Sequence, residues 1–164
     1  MSDNRTSKPS YYLGIADAVL GRSTCLRRKY GAIIVRNDEI ISTGYNGAPR
    51  GRLNCSEVGF CTRDNLGIPS GERYELCRSV HAEANAIISA ARRDMLGGTL
   101  YLVGRDAKTG ELLRDTMPCS MCKRLIINAG ITQVIVSTGE NEYETIHVRD
   151  WIANDESVPK IPRP

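Results

Sequence analysis

Apolar residues fall along this chain in blocks of two different periods. In "YYLGIADAVL", Ile15, Ala16, Val19 and Leu20 recur at the spacing of one helical stripe, and Ser10 just before the block is a candidate N-cap. "AIIVRNDEIISTG" switches to β-branched residues on either side of Asn37-Asp38, the pattern of two short strands joined by a tight turn. Between 46 and 79 the periodicity gives way to Gly, Pro, Arg and Cys, a long stretch to leave without internal order in a compact domain. Something other than an apolar core must organise it. Helical composition returns from His81 to Arg93, and Gly97-Gly98 closes it ahead of the strand "TLYLV". After "GRDAKTGELLRD", read as a turn-bearing excursion, "MPCSMCKRLIINAG" is a further helix with Pro118 near its start and Gly130 past its end. "QVIV" is the last strand that the pattern yields. Strand, helix and strand over 99–136 predict parallel pairing through a right-handed crossover. The proline-rich end predicts a loose tail from about 155.

Length adds that 164 residues suit one domain, 1–164, with a cysteine-rich insertion at about 46–79 and no internal repeat. The formal charge of +3 is spread over mixed Arg, Lys, Asp and Glu, so bulk electrostatics does not argue for duplex nucleic acid or a membrane as partner. No apolar run approaches the roughly 20 residues that span a bilayer, and "MSDNRTSKPS" lacks the apolar core of a signal peptide. The expected setting is therefore cytoplasmic. There, six cysteines (Cys25, Cys55, Cys61, Cys77, Cys119 and Cys122) are better read as metal ligands or catalytic groups than as three disulfides.

The chemistry begins with "VHAEANAI". A helix turns about 100° per residue, so His81 and Glu83 lie roughly 200° apart and can serve one site only at the helix end. "PCSMC" sets Cys119 and Cys122 three residues apart in the first turn of another helix, where backbone amides favour thiolate over thiol. If the two helices abut by their N-termini, His81, Cys119 and Cys122 can enclose one zinc ion. Three protein ligands leave the fourth corner open, as in catalytic zinc sites. Two thiolates and a neutral imidazole cancel the charge of the ion and weaken its acidifying effect, so a base is needed. Glu83, close by but not a ligand, can take the proton of a water molecule and return it to a leaving group.

At these residues the sequence resembles the zinc-dependent cytidine deaminase superfamily, whose signature is H-x-E followed by P-C-x-x-C. "STGYNGAPRG", then "VHAEANAI", then "INAGI" after the cysteine pair most resemble its deoxycytidylate deaminases, over about Cys25 to Val136. The resemblance implies an α/β fold, a three-layer α/β/α sandwich around a mixed five-stranded sheet. It implies hydrolysis of dCMP to dUMP and ammonia, in the supply of thymidylate. Residue by residue, it gives His81, Cys119 and Cys122 as zinc ligands and Glu83 as proton shuttle. Asn46 of "GYNG" would bind the nucleotide sugar, Arg92 would serve the phosphate or effector response, and Tyr143 would lie near the phosphate. "GYNG" read alone is equally a tight turn, and Arg92 equally a solvated helix residue. Family members often carry a second nucleotide site where dCTP activates and dTTP inhibits with Mg²⁺, and "GYNG" is associated with it. A homo-oligomer is expected.

Some members also bind a second zinc ion, with positions resembling Cys25 and Cys55. Cys25, Cys55, Cys61 and Cys77 could form one all-thiolate structural site stapling 46–79, its charge offset by Arg27, Arg28 and Arg78; otherwise they are four unligated thiols. Two other functions compete with the dCMP reading. One is a deaminase of a base in RNA or single-stranded DNA, for which one Trp and one Phe offer few stacking platforms. The other is a non-catalytic, zinc-stabilised interaction module, which would need a fourth ligand and no free carboxylate. "VGRDAKTGELLRDTM" departs from the family and predicts a hairpin-like extension.

Overall fold

The computed structural model describes residues 3–159. Helix α1, Lys8–Leu20, leads into strands β1, Arg28–Arg36, and β2, Glu39–Tyr45. Single turns α2, Cys55–Val58, and α3, Thr62–Asn65, and a 3₁₀ turn, Tyr74–Leu76, follow in the insertion. Then come α4, Ala82–Ile88, α5, Arg92–Met95, β3, Thr99–Asp106, α6, Ser120–Ala129, β4, Gln133–Gly139, β5, Glu142–His147, and α7, Val148–Ala153. The strands form one sheet in the order β2-β1-β3-β4-β5, with β3 and β4 parallel and the other neighbours antiparallel. This is the mixed five-stranded sheet expected.

Both faces of the sheet are covered, and strand alternation divides the core in two. Ala32, Ile34, Leu100, Leu102, Val134 and Val136 face α4 and α6, whereas Ile33, Val35, Tyr101, Val103 and Ile135 face α1. Central strands buried on both sides read as unbroken apolar runs, which is why "AIIV", "LYLV" and "VIV" stand out in the sequence. Two glycines permit the closest approaches between layers. A Cβ on Gly31 would lie 2.1 Å from the Ala16 carbonyl oxygen, and one on Gly44 would lie 2.3 Å from that of Ala82 and 2.4 Å from the amide of Ala86. The hairpin turn falls at Asn37 and Asp38, both with positive φ (51° and 61°), as a two-residue turn of the right twist requires.

Several boundaries differ from the expectation. The cap of α1 is Ser7, which accepts the amide of Ser10, and the buried stripe is Tyr12, Leu13, Ala16 and Leu20, with Ile15 and Val19 only half-buried. The helix expected over 81–93 stops at Ile88, because the Ser42 hydroxyl donates to the Ala86 carbonyl at 2.7 Å and the Ala90 amide turns to Ile87 instead. Strand β5 and helix α7 were not in the pattern at all. Residues 142–145 of β5 are exposed, so pairing with β4 rather than hydrophobicity makes it a strand. The excursion after β3 does fold back as a hairpin, with Asp106 bonding to Glu111, Leu113 to Gly104, and a bridge from Arg105 to Leu112. Residues 155–159 of the expected tail are exposed, and 160–164 lie outside the described residues.

Candidate active site

Strands β2 and β3 each run antiparallel to β1 and therefore parallel to each other. Helices that follow parallel strands and pack on one face begin at the same edge of the sheet, beyond the strands' C-terminal ends. Helices α4 and α6 obey this, although 36 residues of loop (46–81) separate β2 from α4. A bridge closes that loop at its base: the Gly47 and Val80 amides donate to each other's carbonyls at 3.2 and 2.8 Å. Asn85 Nδ2 adds a bond to the Tyr45 carbonyl at 2.8 Å. The chain thus re-enters α4 where β2 ended.

His81 is the N-cap of α4 and Cys119 the N-cap of α6, with Cys122 one turn further on. The two sulfurs each lie 3.4 Å from His81 Nδ1, and all three ligand atoms lie within 4.8 Å of one another. A tetrahedral zinc ion with ordinary Zn–S and Zn–N bonds needs sulfur and nitrogen about 3.5 Å apart, so the donor set fits that metal without rearrangement. The three donors perturb one another's titration. Cys119 is pulled down to about 4, first by hydrogen bonding with Cys122 and then by His81. His81 is raised to about 10, mainly by the hydrogen bond with Cys119, then by Cys77. The Cys122 thiol is pushed up by its bond to Cys119 and by burial. Glu83 is buried in the first turn of α4, and burial is the main cause raising its carboxyl above the usual range.

A cavity opens over these groups, lined among others by Arg27, Arg28, Tyr30, Asn46, Tyr74 and Met117. Asn46 is buried and largely committed to the fold. Its Oδ1 accepts from the Tyr30 amide (2.8 Å) and the Ser23 hydroxyl (2.6 Å), and its Nδ2 donates to the Arg28 carbonyl (2.9 Å). One Nδ2 hydrogen is left for a ligand.

Other expected site residues are elsewhere. Arg92 does not reach the cavity; the break after Ile88 carries it to the far end of α6, where its Nε donates to the Asn128 carbonyl at 2.7 Å. Tyr143 pairs with Ser137 on β5 and takes the sheet face that carries Ile135 and α1, opposite α4 and α6. Nor do Cys25, Cys55, Cys61 and Cys77 converge. Among the described residues, the metal-capable group of three or more is His81, Cys119 and Cys122. Cys55 lies buried beside Arg78, Cys61 caps α3, and Cys77 turns toward His81. Cys25 lines one cavity with Cys77 and another with Cys61, but the four do not gather into a metal-capable group among the described residues. Arg27 and Arg28 pair with Asp64 and Asp115 rather than with thiolates. Sequence reasoning missed Tyr74, which lines the cavity and whose placement depends on loop contacts that no periodicity announces.

A three-donor His–Cys–Cys triangle at two helix starts, with a buried carboxylate beside it, defines the class of hydrolytic zinc centres used by deaminases. The sequence model described as "Cytidine and deoxycytidylate deaminase zinc-binding region" matches residues 6–138. The chain belongs to that family. It is 38% identical over 137 residues to a deoxycytidylate deaminase of Schizosaccharomyces pombe, covering 84% of this chain and 39% of that protein. It is 39% identical over 137 residues to one of Mycobacterium phage D29, covering 80% of this chain and 95% of that one. The fold matches the dCMP deaminase of cyanophage S-TIM5, solved in complex with dCMP and dUMP, with a TM-score of 0.54 at 24% identity over 80% of this chain and 83% of that one.

Proposed function

We propose that this chain is a zinc-dependent hydrolase that converts dCMP and water to dUMP and ammonia. The observation that carries the reading is the buried Glu83 beside a metal triangle with one corner free. His81, Cys119 and Cys122 would hold the zinc, which would supply the Lewis acidity that makes water a nucleophile. Glu83 accepts a proton from the attacking water and delivers it to the departing amine. Its burial raises the carboxyl's affinity for the proton that it must take from water and later give up. A purely structural site has no use for that carboxylate, which speaks against a non-catalytic module.

Arg27 and Arg28 supply cations at the cavity mouth for a monophosphate, and the spare Nδ2 hydrogen of Asn46 supplies a donor for the sugar. A separate cleft beside "GYNG" gathers Arg22, Arg50 and Arg52, a setting for an anionic nucleotide effector such as dCTP or dTTP with Mg²⁺. Six free thiols suit a reducing, cytoplasmic setting, and no helix among the described residues is long and apolar enough to cross a membrane. The relatives' names agree with the substrate, and the helical faces left open are available to a homo-oligomer.

Zinc-loaded protein incubated with dCMP, CMP, dCTP, deoxycytidine and a cytosine-containing oligonucleotide tests the reading by ammonia release. Preference for dCMP is expected. Deamination of the oligonucleotide alone would replace the substrate, and no ammonia from any of them would remove the activity.

A further inference from the structure

The insertion that lacks an apolar core is built around one buried cation. Arg63, in the single turn α3, is 5% exposed. Its terminal nitrogen donates to the carbonyls of Pro69 at 2.9 Å and Glu72 at 2.6 Å, while its buried Nε has no partner. The guanidinium lies over the ring of Tyr74, 4.5 Å from the centroid. That ring meets the His81 imidazole edge to face, with centroids 5.3 Å apart and planes at 89°.

Two departures from low-energy structure adjoin Tyr74. A guanidinium is buried with one N–H unsatisfied, and Arg73 sits in the left-handed region (φ 50°, ψ 48°) that residues with a Cβ seldom occupy. The hydrogen bonds and the ring contact of Arg63 fall on the segment 69–74, and the Glu75 carboxylate just beyond it also feels the charge. Strain and burial of this kind persist only where surrounding contacts hold them, and here they aim one ring at a metal ligand. The imidazole has need of it. A histidine at an N-cap has a broad, two-fold second torsion, and only one rotation points Nδ1 at Cys119 and Cys122.

We infer that Arg63 is a positioning residue for the metal centre: it fixes the Tyr74 ring, and the ring fixes the rotation of the His81 imidazole. The stack runs in series from loop carbonyls to guanidinium, phenol ring, imidazole and metal. Aromatic edge-to-face contacts are directional enough for this task, and a cation over the ring face prevents the ring from swinging away. The inference rests on His81 being a zinc ligand, as proposed above.

The test uses the native protein and the variants Arg63→Met, Arg63→Lys, Tyr74→Leu, Tyr74→Phe and the double variant Arg63→Met/Tyr74→Leu. Zinc affinity is read by chelator competition, the ligand geometry by the visible spectrum of the cobalt-substituted protein, and folding by thermal melting. Groups that orient a metal ligand are worth roughly 10-fold to 100-fold in affinity, so Arg63→Met and Tyr74→Leu should each weaken zinc binding by about 10-fold and alter the cobalt bands. The double variant should be no weaker than Tyr74→Leu alone, because links in series do not add. Tyr74→Phe keeps the ring and should restore the native cobalt spectrum.

Arg63→Lys keeps a cation but not the planar fork. It should show an intermediate loss, and it carries the test if Arg63→Met fails to fold. Unchanged zinc affinity and cobalt bands in folded Arg63 variants would overturn the inference, as would losses that add in the double variant. A lowered melting temperature with native metal properties would do the same, marking Arg63 as merely structural. Native protein that binds no zinc would instead end the reading of the site itself.

Discussion

The sheet edge that carries the metal triangle and the insertion that overhangs it are held together by different physics. At the edge, each ligand is placed by a regular element: β2 and β3 point the same way, α4 and α6 start together, and His81 and Cys119 cap them. In the insertion, α2 and α3 are single turns, and order comes from separate polar contacts, the buried ones being those of Arg63 with its two carbonyl partners. Cysteine appears in both regions with opposite results. The thiols of Cys119 and Cys122 converge because a helix turn spaces them; those of Cys55 and Cys61, with no regular element to space them, join no metal-capable group among the described residues. Proximity of ligands therefore follows from elements that fix direction rather than from the number of cysteines.

The largest effect expected from breaking the edge is chemical. Glu83→Gln preserves shape and removes the proton carrier, so kcat for dCMP should fall by about 10²-fold to 10⁴-fold while zinc content stays at the native level. Steady-state kinetics beside metal analysis check this, and a variant with native turnover would refute the assignment of Glu83. Next in size is a purely steric change. Gly44→Ala drives a methyl into the Ala82 carbonyl and the Ala86 amide, both backbone atoms that cannot rotate away. The helix carrying His81 and Glu83 must then lift from β2, at a cost of about 3 kcal/mol or slightly more, the upper end of overpacking penalties. Thermal melting should show a drop of roughly 6–12 °C, with zinc affinity falling in step. A stable variant of intact affinity would show that α4 need not be seated on Gly44.

Asn46 stands where the two regions join, and its replacement is the intermediate case. Asn46→Ala leaves the Tyr30 amide, the Ser23 hydroxyl and the Arg28 carbonyl without their partner. Loss of such buried bonds should cost about 1–3 kcal/mol in denaturant unfolding. If the spare Nδ2 hydrogen meets the substrate, KM for dCMP should also rise, and a fall in stability with native KM would confine Asn46 to the fold. "GYNG" pointed to Asn46 as a site residue, but its bonds to β1 and to the loop before it depend on a turn in space. The central strands, the α4 and α6 starts and the metal triangle were legible because burial on both faces and helix-end spacing leave marks in the chain. Strand β5 was not legible, since Glu142, Tyr143, Glu144 and Thr145 are exposed and β4 alone imposes their extended form. Arg92 and Tyr143 lie away from the cavity for related reasons. A hydroxyl from β2 ends α4 early, and a strand absent from the pattern turns Tyr143 to the opposite face.

The smallest effect expected lies in the insertion, and its sign separates the two regions. Cys61 is the N-cap of α3, and its side chain makes no capping bond. Serine is among the preferred caps because its oxygen accepts an amide of the first turn. If Cys61 is an unligated thiol, Cys61→Ser should leave stability unchanged or raise it by a few tenths of a kcal/mol, up to about 1. Metal analysis should find one zinc ion per chain before and after the change. If instead Cys61 were part of an all-thiolate staple, the native protein would hold two ions, and the variant would lose one together with several kcal/mol, since such metal binding is coupled to folding. A count of two in the native protein would mean that the cysteines of the insertion do converge, and it would erase the contrast between a region ordered by its elements and one ordered by a buried arginine.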